Sequence, residues 1–127
     1  MARTEDSNPI EPPLTPAVFH ILLALAAGEM HGYAIMQEIA ILSDGRVHVG
    51  PGTLYGSIKR LLGAGLIEES GDRPDPELDD ERRRYYRLTQ DGHRVLTAET
   101  ERMQGLVRAA QARRVVGELP ALRLGKA

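Results

Sequence analysis

The sequence predicts a mainly α-helical fold with a small β-hairpin, and three observations carry that prediction. Apolar residues recur at helical spacing in four stretches, 16–27, 32–42, 51–65 and 90–116. Two β-rich stretches, 66–69 and 84–88, enclose the Gly, Pro and Asp of a long loop, which is the pattern of a hairpin. With one Phe, four Tyr and no Trp among 127 residues, the core has to be aliphatic. A chain of this length builds one modest core.

Residues 1–13, polar and interrupted by proline, read as a mobile arm. Thr15-Pro16 then supplies an N-cap and a proline at the first helical position. The run from Ala17 to Ala27 is apolar nearly all round, so this helix is buried on more than one side. Gly28 stops it. The second helix, 32–42, turns Ile35, Met36, Ile39 and Leu42 inward and closes on Ser43-Asp44-Gly45. The third starts at Pro51, aligns Leu54, Ile58, Leu61 and Leu62 on one face, and ends at Gly65. It carries Gly56 inside and Gly63 near its end, although each costs roughly 1 kcal/mol against Ala. Thr89 caps the last helix, Asp91 in its first turn suits the macrodipole, and its apolar stripe runs to about Val116. Helix, helix, helix, hairpin, long helix is the order of a winged helix-turn-helix with one helix appended. The expected organisation is an arm at 1–13, a winged helix-turn-helix DNA-binding domain at 14–88, a dimerisation helix at 89–118 and a tail at 119–127.

Composition narrows the function. The absence of cysteine excludes disulfides, thiolate chemistry and Cys-built zinc sites. No apolar run approaches the ~20 residues of a membrane span, and the N-terminus lacks a signal-peptide core, so no membrane partner and a cytoplasmic location are expected. No phosphate-binding glycine loop and no Gly-x-Ser-x-Gly element occurs, which speaks against an enzyme. No cofactor is implied. The net charge of −2 conceals a strong asymmetry. Eight acids and one base lie between Glu68 and Glu81, whereas nine arginines and three acids lie between Arg82 and Arg114. That local distribution bears on partners more than the total does.

On a helical wheel of about 100° per residue, Leu54, Ile58 and Leu61 centre on one side of the third helix. Gly52, Thr53, Gly56, Lys59 and Arg60 fall opposite, with Tyr55 at the margin. In a helix-turn-helix this outer face enters the major groove, its N-terminal half deepest. Lys and Arg pair there with phosphates or guanine edges, hydroxyls with phosphates, and the helix N-terminus offers amides to a phosphate. Ser57 counts among the hydroxyls. Arg82, Arg83, Arg84 and Arg87 stand beside that face on the wing.

Three segments, "LTPAVFHILLALAAGEMHGYAIMQEI", "VGPGTLYGSIKRLLGAGLIEE" and "RRRYYRLTQDGHRVL", make the chain resemble the PadR family of bacterial transcriptional regulators. The match runs in order from about Leu14 to Leu96, and the single long final helix resembles the family's compact subgroup. The resemblance implies a homodimer joined through that helix, binding an inverted-repeat double-stranded DNA operator and repressing transcription. It puts Tyr33, Thr53, Tyr55, Lys59 and Arg60 at the DNA and the wing arginines on the flanking backbone. It also implies packing of the first helix on the partner's last one. The stripe of Leu96, Met103, Leu106, Val107 and Ala110 is itself too apolar for solvent, so with Phe19 it is read as the dimer contact, the alternative being that it folds back in part on the chain's own first helix. A small-molecule effector then belongs near Phe19, Leu22, Met103 and Val107. The chain departs from the family pattern at Gly50, where Ser is common, and at Gly56, where Pro is common. The acidic loop tip, 75–81, is expected to point away from the duplex or to stay disordered.

Two other functions compete. A metal-sensing repressor would use His20, His31, His48 or His93, yet none pairs with another ligand at helical spacing, and no metal ligand is assigned. A winged helix that binds protein instead of DNA would show little salt dependence.

Overall fold

A computed structural model of the chain describes residues 9–72 and 84–117. In order, the elements are α1 (Pro16–Leu25), β1 (Met30–His31), α2 (Gly32–Leu42), α3 (Pro51–Gly63), β2 (Ile67–Asp72), β3 (Arg84–Leu88) and α4 (Gln90–Ala112). Residues 1–8 of the expected arm, the loop tip at 75–81, Arg82, Arg83 and the tail at 119–127 lie outside the described residues.

The helices start and stop for local reasons. Thr15 accepts a hydrogen bond from the Val18 amide at 3.2 Å and caps α1. The α2 cap is His31, whose Nδ1 accepts from the Ala34 amide at 3.0 Å. α3 ends in a Schellman motif in which Leu66 N–H donates to Leu61 O and Gly65 N–H to Leu62 O. Gly65 sits at φ +76°, where a side chain would be strained. The same motif closes α4 at Ala112, with Arg114 at φ +62° and Val115 N–H donating to Ala110 O at 2.9 Å. The helix therefore ends short of the expected Val116. Helical periodicity continued in the side chains after the backbone had turned.

The sheet has three strands, ordered β1-β3-β2, all antiparallel. The hairpin of β2 and β3 was legible. β1 was not, because two residues carry no alternation to detect. Met30 pairs with Tyr86 and His31 with Tyr85, so β1 ties the start of α2 to the wing. An irregularity between Glu69 and Gly71 leaves Ser70 as an extra residue in β2, with Gly71 at φ +107°.

Ile21, Leu22, Ile35, Ile39, Leu54 and Leu61 have no exposed surface and form the centre of the core. Leu96 joins them from α4 at 6% exposure. One expectation is corrected here. Leu96 is core of its own chain rather than a dimer contact, because the first turns of α4 lie against α1. Leu22 is equally interior and has no exposed surface, since α1 buries that face on α2 and α3.

The final helix is anchored twice. Thr89 Oγ1 donates to Gly65 O at 2.6 Å, its amide donates to Leu66 O at 3.1 Å, and Gly92 N–H donates back to Thr89 Oγ1 at 3.0 Å. A Cβ on Gly92 would collide with the Leu66 carbonyl, so the Thr-x-x-Gly spacing lets α4 approach the end of α3. The second anchor is Glu99, whose side chain is fully buried. Its Oε2 accepts from the Leu14 amide at 3.0 Å and from Arg102 Nη2 at 3.1 Å, and its Oε1 accepts from Arg102 Nε at 2.6 Å. The bonds from Arg102 outweigh the opposing effect of burial and hold the carboxyl below its ordinary value of 4.5.

Candidate nucleic-acid interface

The interface begins with the turn between α2 and α3. Ser43 Oγ accepts from the Val47 amide at 2.9 Å, and the linker then reaches Gly50, the N-cap of α3. Gly50 has no side chain to bond the first amides, so those of Gly52 and Thr53 receive no side-chain cap. They point out of the helix end as an anion-binding terminus does.

Along α3, Leu54, Ile58 and Leu61 are buried, whereas Gly52, Thr53, Gly56, Lys59 and Arg60 are exposed. The outer face is thus the one the wheel assigned. Nothing lies within 4 Å of a Cβ built on Gly52 or Gly56, so neither glycine is required by packing. Ser57 is the correction on this helix. It is 4% exposed, because at about 40° from Leu61 on the wheel it falls inside the buried arc. Its hydroxyl is withdrawn from any ligand.

Tyr55 is half-buried and packs over Gly32, where a Cβ would overlap the phenol ring. It braces the start of α2 against α3, a role the periodicity did not reveal, although the Gly-Tyr pair at 32–33 carried the signal. Tyr33 is 40% exposed. Its ring stacks on His31 at 6.5 Å, and His31 meets Tyr85 of the wing edge-on at 5.3 Å. These three rings join the exposed end of α2 to β3. Arg84 and Arg87 are exposed on β3, with Arg87 Nε bonded to Glu68 Oε2 at 2.8 Å across the hairpin. A phosphate contact by Arg87 has to displace that carboxylate.

The other expected sites lie on α1 and α4. Phe19, Met103 and Ala110 are half-buried, whereas Leu106 and Val107 are 58% and 39% exposed. An open depression of about 340 Å³ runs along α4, lined by Thr100, Met103, Gln104, Val107, Arg108 and Gln111. Met103 and Val107 of the expected effector site line it; Phe19 and Leu22 do not. Among the described residues no three His, Asp or Glu side chains converge as a cation site. His20 Nδ1 donates to Pro16 O at 2.8 Å and His31 Nδ1 is the α2 cap, so two of the four histidines serve the backbone. No helix among the described residues is long and apolar enough to cross a membrane.

A helix-turn-helix whose third helix shows glycines and cations outward, flanked by a β-hairpin and followed by a long helix, defines a winged-helix transcriptional regulator. The profile of the PadR-like family of transcriptional regulators matches residues 21–98, more than half the chain, and the protein belongs to that family. The transcriptional regulator Rv3488 of Mycobacterium tuberculosis is 36% identical over 89 residues, 70% of this chain and 77% of its own. A 37.1 kDa protein of transposon Tn4556 from Streptomyces fradiae is 38% identical over 89 residues; they make up 68% of this chain but only 22% of that protein. Among solved structures, a transcriptional regulator from Clostridium thermocellum superposes with TM-score 0.61 at 26% identity, over 76% of this chain and 87% of its own. A PadR family regulator from Clostridium difficile gives 0.62 at 20% identity, over 77% and 97%, and supports the fold. The family and its Mycobacterium tuberculosis relative are transcriptional regulators rather than enzymes.

Proposed function

We propose that the protein is a homodimeric repressor that binds an inverted-repeat DNA operator and is released by a small-molecule effector. The observation that carries this reading is the two-faced α3: Leu54, Ile58 and Leu61 inward; Thr53, Lys59 and Arg60 outward beside unobstructed Gly52 and Gly56. In this proposal α3 enters the major groove, Lys59 and Arg60 reach phosphates or guanine edges, and the uncapped amides of Gly52 and Thr53 take a phosphate. Tyr33 and the arginines of the wing hold the flanking backbone. Residues 14–88 form the DNA-binding unit, and α4 with the residues just after it the dimerisation element, through Leu106, Val107 and the face of Met103 and Ala110. The depression beside Met103 and Val107 is the place for an effector.

Salt titration of DNA binding tests this proposal. A dimer making about 6 phosphate contacts loses affinity with a log–log slope near −5. A flat dependence would point instead to a winged helix that binds protein.

A further inference from the structure

Glu99 is a carboxylate with no exposed surface in a helix whose neighbouring positions face solvent. Two of its three donors come from Arg102, three residues on, and add nothing to tertiary structure. The third is the Leu14 amide, 85 residues away in sequence and immediately before the cap of α1. Arg102 thus orients the carboxylate and compensates its charge, while Oε2 grips the lead-in of α1. An apolar residue would fill the same space without fixing a register. Buried ion pairs are poor sources of stability against apolar replacements, and their best-attested use is to specify one arrangement.

The arrangement specified here is the direction of α4. Its first turn is held at Leu66 through Thr89 and Gly92. At 1.5 Å per residue, Glu99 lies about 10 Å beyond Gly92 and Ala112 about 30 Å beyond it. A swing of about 1 Å at Glu99 therefore becomes about 2 Å at the exposed Leu106 and Val107 and about 3 Å at the end of the helix. We infer that Glu99 is a positioning residue: by clamping the start of α1 to the third turn of α4, it sets the angle between the two winged units of the dimer. That angle fixes how far apart two half-sites can be read. The inference rests on the homodimer proposed above.

The chain has no cysteine, so Ile41→Cys, at a position 71% exposed on α2, accepts one spin label per protomer. Pulsed electron-paramagnetic-resonance distances are then measured between the two labels of a full-length dimer, with and without Glu99→Gln. The expected result is one narrow distance with Glu99 and a distribution at least twofold wider with Gln, the dimer mass being unchanged. Equal widths in both proteins overturn the inference and leave the dimer standing. A monomeric mass with no inter-label distance overturns the dimer and the inference with it. Glu99→Met, which keeps the bulk and lacks the acceptor, gives the same reading should the Gln variant fold poorly; a narrow distance there overturns the inference equally.

Discussion

Four glycines in this chain answer to different constraints, and alanine substitutions separate them. Gly56 and Gly63 are exposed helical positions with open space around a Cβ, so alanine at either raises stability by up to about 1 kcal/mol in chemical denaturation. Only Gly56→Ala should also weaken DNA binding, because Gly63 lies two turns further from the groove end of α3. Equal affinity in both variants would mean that Gly56 allows no close approach. Gly92→Ala drives a methyl into the Leu66 carbonyl and should cost about 1–3 kcal/mol. Gly32 is constrained by a movable side chain, the Tyr55 ring, and is the more tolerant of the two. The Arg87–Glu68 pair makes a different prediction. Both groups are about half exposed, so the pair contributes little to stability, and Glu68→Gln frees a cation beside the proposed duplex. Operator affinity should rise several-fold at low salt and the gain should shrink at high salt, as competition titrations would show. An unchanged affinity would take Arg87 off the DNA.

At the level of elements, α4 plays two parts. Its first half belongs to the core through Leu96 and Glu99, whereas Leu106 and Val107 beyond it remain open. Leu106→Asp should therefore leave the circular-dichroism spectrum nearly unchanged, give monomers by light scattering, and collapse operator affinity; a tight-binding dimer would contradict the account. Periodicity exposed the helices and the hairpin well, because each buries one repeating face. It failed where a single contact decides. Leu96 and Leu106 look alike in an apolar stripe, and only the point at which α1 stops covering α4 separates them. Ser57 failed for a related reason, since a small polar residue near the edge of the buried arc carries no sign of which side it takes. Glu99 was missed because a charged residue on a mostly polar helix looks solvated; its i, i+3 spacing to both Leu96 and Arg102 was the available hint. β1 depends on a strand pair formed 56 and 54 residues apart in sequence, Met30 with Tyr86 and His31 with Tyr85, which local patterns do not encode.

For the whole molecule, the winged unit and the final helix are coupled through two joints, and one of them titrates. The folded protein holds the Glu99 carboxyl below its ordinary value of 4.5, chiefly through the Arg102 bonds. The stabilisation linked to that shift is present above the unfolded carboxylate value and is lost as pH falls through the lower folded one. Thermal melts of wild type and Glu99→Gln should therefore converge as pH drops below about 4.5; a constant gap would show that Glu99 is not the group involved. The central claim is that the outer face of α3 reads DNA as half of a dimer. Selecting bound fragments from the genome that encodes this protein tests it most directly, with wild type beside Lys59→Ala/Arg60→Ala. The account predicts that wild type enriches a shared inverted repeat and that the double variant enriches none while keeping its melt and its dimer mass. Recovery of the same repeat by the double variant, or of no repeat by wild type, would contradict it.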